Sequence, residues 1–127
     1  MKTILVDAVY TFVSEEGVIY EELHQLLEQY PNKKIIVTNA ALEKYEGYGL
    51  NRVPYEVFTL SHNPEKTDPE YFKKLLEHFG LFVGDVIYFE HNPEAVKSSQ
   101  SVGIISYHYD ENARDLDALK KFLDENL

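Results

Sequence analysis

Along the chain, short apolar runs alternate with stretches in which apolar residues recur every three or four positions. A short apolar run predicts a strand, and recurrence at three and four predicts a helix packed on one side. Five strands are predicted in this way, at Thr3 to Val6, Lys34 to Thr38, Tyr55 to Leu60, Val86 to Phe89 and Gly103 to Tyr107. Three of them contain ILV, IIV and VIYF with no alternating polar residue. That is the pattern of strands buried on both faces of a parallel sheet.

The predicted helices fall between the strands. Leu23, Leu26, Leu27 and Tyr30 mark one that Pro31-Asn32 closes. Another runs from Asp68 to Phe79, with Asp68 as cap, Pro69 at the first helical position and Gly80 at the end. Its apolar face is Tyr71, Phe72, Leu75, Leu76 and Phe79. Asn92-Pro93 opens a third in the same way, reaching Ser101, and Leu116, Leu119, Phe122 and Leu123 mark the last. Between Ala41 and Tyr48 a short helix is weakened by Gly47 and Gly49.

This alternation predicts an α/β fold, a three-layer α/β/α sandwich on a five-stranded parallel sheet. Crossovers between its parallel strands are expected to be right-handed. No Gly/Ser linker, repeat or low-complexity tract interrupts the pattern, so residues 1–127 are expected to form a single domain.

Composition narrows the function classes. Twelve Lys and Arg against 22 Asp and Glu give a net charge of −10, spread through the chain. Such a charge repels a phosphate backbone and argues against nucleic acid as a partner. No apolar run is long enough for a bilayer, and Met1-Lys2 leads directly into the first strand, so no membrane association and no targeting segment are expected. The absence of Cys removes disulfides, thiolate nucleophiles and zinc-thiolate sites. It fits a reducing compartment, and the expected setting is cytoplasmic. Nothing in the pattern bears on oligomeric state.

Sheets of this kind collect ligands at the carboxyl ends of their strands. The polar residues there are Asp7, Thr38-Asn39, the Ser61 to Asp68 loop with Lys66, and Glu90-His91-Asn92. A carboxylate placed like Asp7 is suited to attack phosphorus or carbon, or to hold a cation. The Thr38 hydroxyl and the Asn39 amide suit an anionic oxygen. Lys66 can neutralise nucleophile and substrate together, and Glu90 supplies a second carboxylate opposite Asp7. Each residue taken singly also reads as a turn former, a cap or a solvated charge. The ordered set, one group per successive strand end, points to a site.

That set resembles the haloacid dehalogenase superfamily of aspartate-nucleophile phosphatases, dehalogenases and relatives, over nearly the whole chain. ILVDAVYT at Ile4 to Thr11 is similar to its first motif, an apolar strand followed by Asp-x-Asp-x-Thr, and IIVTNA at Ile35 to Ala40 to its second. EKTDPEYFKKLLEHFGL at Glu65 to Leu81 resembles the third, and DVIYFEHNPEAVKSSQSVGI at Asp85 to Ile105 follows the fourth except in its acids. Together with the strand–helix alternation, the resemblance implies the family's Rossmann-like core, with the first strand central between the second and the fourth. It implies Asp7 as nucleophile, Thr38 as the phosphate-binding hydroxyl and Lys66 as the stabilising cation, with Thr11 orienting the Asp7 loop. Thr11, Asn39 and His91 are expected to contact substrate. Mg²⁺ is expected as cofactor, held by Asp7, the Val9 carbonyl and Glu90. The short spans between motifs leave no room for a cap domain, and Phe12 to Tyr20 is expected to form only a flap hairpin.

Three positions depart from the family pattern. Val9 stands where the family carries its proton-transferring second Asp, and a valine cannot move a proton. His91 follows Glu90 where the fourth motif places acids, offering a nitrogen that Mg²⁺ does not favour but a side chain able to donate a proton. Tyr10 stands where the family prefers Gly. Tyr45, Tyr48 and Tyr55 are expected to form an exposed apolar patch, and His24 and His78 to lie on helix surfaces.

Two functional classes follow. The first is a capless, divergent hydrolase of phosphate monoesters with weak activity, acting on a phosphorylated small molecule or on a partner protein presenting the phosphate. The second is a catalytically inactive binding or assembly protein on the same fold. A receiver domain fits the size and acidity, but no acidic pair precedes a matching acceptor Asp.

Overall fold

The computed structural model describes residues 1–127. Its strands are β1 (Thr3–Asp7), β2 (Lys34–Thr38), β3 (Glu56–Thr59), β4 (Val86–Glu90) and β5 (Ile105–His108). Its helices are α1 (Glu21–Leu27), α2 (Leu42–Tyr45), α3 (Pro69–Phe79), α4 (Pro93–Val102) and α5 (Leu116–Asn126), with a short 3₁₀ turn at Val83–Asp85. All strand pairs are parallel and the order is β3-β2-β1-β4-β5. The central position of β1, between β2 and β4, is therefore as expected, and so is the three-layer sandwich.

Successive residues of a strand point to opposite faces, and the core divides accordingly. Ile4, Val6, Ile36, Ile87 and Phe89 pack with Leu23 and Leu27 of α1 and Leu119 and Leu123 of α5. Leu5, Ile35, Val37 and Tyr88 pack with Tyr71, Phe72 and Leu75 of α3. β1, β2 and β4 are buried along their whole length, which explains why their sequences lack polar alternation.

The capping residues act where the sequence places them. Asp68 and Asn92 accept hydrogen bonds from the amides of Glu70 and Glu94, and Gly80 and Gly103 close α3 and α4 in left-handed conformations. Between Asp7 and Thr38 the chain forms the flap and α1; between Thr38 and Lys66 it forms α2 and β3. No inserted cap lies in either span. In the flap, Val13 bridges both Val9 and Ile19. Its tip meets the turn after α2 so closely that a Cβ on Gly17 would lie 2.8 Å from the Gly49 amide nitrogen. Both glycines have positive φ, and this contact brings the flap and the Tyr48 turn to one rim.

Several expectations are corrected. α1 ends at Leu27, and Gln29 and Tyr30 continue in tight turns rather than helix. α2 is a single turn. Tyr45, Tyr48 and Tyr55 form no exposed patch: all three are partly buried against the α1 side of the core, and the Tyr55 hydroxyl donates to Glu28 at 2.6 Å. His24 is not a plain surface residue, because its ring packs edge-on against Phe12 and Tyr55. His78 is exposed as expected and rests on Phe58 and Phe79.

Candidate active site

β1 and β4 each end in a buried carboxylate, Asp7 and Glu90, and Lys66 joins them. Its Nζ lies 2.6 Å from Asp7 Oδ1 and 2.8 Å from Glu90 Oε1. The remaining oxygens face His91. Its Nδ1 contacts Asp7 Oδ2 and lies 3.2 Å from Glu90 Oε2. Asp7 Oδ2 also accepts from the Thr11 hydroxyl at 2.7 Å and from the His91 amide at 3.2 Å. Glu90 Oε1 accepts from the Tyr88 hydroxyl, and Oε2 from the Asn92 amide at 3.1 Å. Two buried anions are thus matched by two cations, and each of the four carboxylate oxygens has a partner.

Thr38 and Asn39 border the same space. Tyr71, rising from α3, accepts from the Thr38 amide at 3.1 Å and donates to the Thr38 carbonyl at 2.8 Å, pinning the end of β2. The Thr38 hydroxyl accepts from the Ala40 amide. Asn39 Oδ1 accepts from the Lys66 amide at 2.7 Å and ties the Lys66 loop to the second strand end. These groups open onto a cleft of about 340 Å³, also bordered by Val9, Tyr10, Glu15, Lys44, Tyr48, His62 and Asn92.

Burial alone would raise the Asp7 carboxyl, but Lys66 and His91 override it and hold the group far below the ordinary carboxylate range. Burial would likewise strip the proton from Lys66; Asp7 and Glu90 reverse this and raise it above its usual value. For His91, burial is again outweighed by Asp7 and Glu90, and the ring is pushed up to about 10. The Tyr88 phenol is raised by burial and by Glu90, so it stays a donor.

These shifts set a pH dependence of stability. Asp7, lowered on folding, stabilises fully above its unfolded value of 3.8 and loses that contribution as pH falls from there toward its depressed folded value. His91, raised on folding, stabilises fully below 6.5 and loses that contribution as pH climbs toward about 10. Urea midpoints are therefore expected to decline between pH 6.5 and 10, and the decline is expected to flatten in His91→Asn. An equal slope in both proteins overturns the assignment.

The structure brings Asp7, Val9, Thr38, Asn39, Lys66, Glu90 and His91 to one strand-end crevice; Thr11, expected to contact substrate, is fully buried beneath it and reaches the site only through its hydrogen bond to Asp7. Sequence reasoning missed four further groups. Tyr88 carried a signal, since it stands two residues before Glu90 and so faces the same side. Tyr71 read only as part of an apolar helix face. Arg114 donates to the carbonyls of Tyr10 and Thr11 at 3.0 and 2.9 Å, with its guanidinium 3.7 Å above the Tyr20 ring, and fastens the flap. Glu111 faces His91 Nε2 at 3.5 Å. Neither of these last two had a sequence signal. Tyr10, with φ of 75° and 40% exposed, packs edge-on against His91 at the mouth rather than into the core.

Asp7 and Glu90 supply the hard carboxylate oxygens that Mg²⁺ takes, with Val9 on the same cleft, so the oxygen donors fit that ion. The nitrogen of His91 at the same carboxylates is the one donor that does not follow its preference.

No family model matches the chain, and no curated protein matches it in sequence. Solved structures do match. A D,D-heptose bisphosphate phosphatase from B. bronchiseptica, complexed with magnesium and phosphate, superposes with a TM-score of 0.76 at 12% identity, over 100% of both chains. A haloacid dehalogenase family enzyme from Bacteroides thetaiotaomicron, in complex with magnesium and inorganic phosphate, has a TM-score of 0.68 at 14% identity, covering 85% of this chain and 93% of that one. A haloacid dehalogenase superfamily hydrolase of subfamily IA from Geobacter sulfurreducens has a TM-score of 0.67 at 12% identity, covering 86% and 87%. The chain has the fold of the haloacid dehalogenase-like hydrolases. No helix is long and apolar enough to cross a membrane.

Proposed function

We propose that residues 1–127 form a single capless domain that hydrolyses phosphate monoesters weakly, with Asp7 as nucleophile. The observation that carries this reading is the convergence of Asp7, Lys66, Thr38 and Asn39, from three separate strand ends, on one open cleft. Two of the solved neighbours hold magnesium together with phosphate, which supports Mg²⁺ as the cofactor and a phosphorylated small molecule as the substrate class. A partner protein presenting its phosphate also suits an open cleft. The proposed setting is the cytoplasm, on the absence of cysteine.

In this reading a carboxylate oxygen of Asp7 attacks phosphorus while the ester P–O bond breaks, and water then cleaves the aspartyl phosphate to release phosphate and restore Asp7. Lys66 holds Asp7 ionised and offsets charge on the transferring group. Thr11 keeps the Asp7 oxygen oriented, and the Thr38 hydroxyl and Asn39 amide bind phosphate oxygens. Mg²⁺, when bound at Asp7, Val9 and Glu90, supplies further charge neutralisation. Val9 donates no proton, so esters with good leaving groups are favoured. Aryl phosphate turnover that needs Mg²⁺ and disappears in Asp7→Asn is the expected result; equal rates in the two proteins overturn the reading.

One observation favours the second reading, a binding or assembly module. Every oxygen of Asp7 and Glu90 is already engaged within the protein, so attack requires part of this network to open. A folded wild type without turnover supports it.

A further inference from the structure

Beyond the substrate contact expected of it, His91 brings a nitrogen donor to the carboxylates of the cleft. Nδ1 of His91 faces Asp7 Oδ2 and Glu90 Oε2, and one ligand atom from each of the three residues lies within 4.8 Å of the others. The opposite oxygens, Asp7 Oδ1 and Glu90 Oε1, hold Lys66. Each carboxylate therefore divides its work, one oxygen to the lysine and one toward the histidine. Behind the ring, Glu111 Oε2 lies 3.5 Å from Nε2, buried and without a hydrogen-bond partner. Metal-binding histidines are characteristically backed by a carboxylate on the other nitrogen, which fixes the tautomer and strengthens the donor. Glu111, from the loop between β5 and α5, stands in that relation to His91.

We propose that Asp7 Oδ2, Glu90 Oε2 and His91 Nδ1 form a mixed nitrogen–oxygen metal centre, backed by Glu111, that favours Co²⁺ and Zn²⁺ over Mg²⁺. It rests on the phosphohydrolase reading only for the place of the cation. Mg²⁺ binds oxygen and dehydrates reluctantly, whereas imidazole suits the later first-row ions, whose affinities rise along the series to copper. On binding, the Nδ1 proton passes to solvent and the freed lone pair forms the metal–nitrogen bond, while Glu111 accepts from Nε2–H.

The test is calorimetric titration of the full chain with CoCl₂, ZnCl₂ and MgCl₂, alongside the visible absorption of bound Co²⁺. Any oxygen site prefers Co²⁺ to some degree, so the decisive quantity is the ratio of Co²⁺ to Mg²⁺ affinity. It is expected to fall at least tenfold in His91→Asp, with a shift of the Co²⁺ bands, and Glu111→Gln is expected to weaken Co²⁺ about tenfold. Thermal melts of both variants, and of His91→Asn, establish that each is folded. An unchanged ratio or an unchanged Co²⁺ spectrum in folded His91→Asp overturns the inference. Co²⁺ bound through His91 with no ester turnover under any metal upholds it and removes the hydrolase reading; Mg²⁺-dependent turnover without nitrogen ligation does the reverse.

Discussion

Lys66→Met is expected to lower the unfolding free energy at pH 7 by about 3–5 kcal/mol, the usual cost of leaving buried charge without its partner. Lys66 is 6% exposed and is the only ammonium reaching both Asp7 and Glu90. Methionine fills similar volume, so the loss comes from charge rather than packing. His91 still offsets one negative charge, which leaves one buried carboxylate charge in excess. The natural relief is a proton taken up between the two carboxylates. Unfolding in urea should therefore show a deficit that shrinks on acidification, and Lys66→Met with Glu90→Gln should recover part of it at pH 7. A deficit below about 1 kcal/mol at pH 7 would mean that the network contributes little net stability.

Val9→Asp is expected to raise aryl phosphatase turnover roughly a hundredfold, the lower end of what general acid catalysis contributes. Val9 borders the cleft two residues after Asp7, in the loop that Arg114 fastens through the carbonyls of Tyr10 and Thr11. On the phosphohydrolase reading, a carboxyl introduced there would serve as the leaving group's proton donor, and its pKa should govern the acid limb of the rate profile. The gain should be largest for alkyl esters, whose leaving oxygen needs the proton most. A folded variant whose rate is unchanged with both ester types would place the obstacle elsewhere, in the closed network of Asp7 and Glu90, and would favour the binding-module reading.

The architecture was legible because burial writes a local period into the chain. ILV, IIV and VIYF lack polar alternation because β1, β2 and β4 are covered on both faces. Asp68, Asn92, Gly80 and Gly103 announce helix ends because caps act within a few residues. Short-range signals of this kind fail where two influences compete. Leu23 to Tyr30 kept a helical spacing, yet the last turn loosens and the Tyr30 hydroxyl bonds to Asp124 of α5 instead. Tyr45, Tyr48 and Tyr55 seen in sequence are simply aromatic residues near glycines; whether they lie open or covered depends on α1 and the flap folding over them.

The same distinction runs through the site. Asp7, Thr38, Lys66 and Glu90 could be named from the chain because parallel strands deliver their carboxyl ends to one edge, whatever the side chains do there. Their protonation and pairing could not. His91 and Asp7 are 84 positions apart, and the contact that makes the ring a cation exists only because β1 and β4 are neighbours with their ends in register. Glu111 and Arg114 sit in an irregular loop with no periodicity to mark them, and their partners are chosen by how that loop folds over β4 and the flap. Strand and helix identity follow from burial averaged over successive residues, which the order of amino acids carries directly. Charge state and ligand direction follow from a few distances between residues remote in the chain, and those are set when the layers pack.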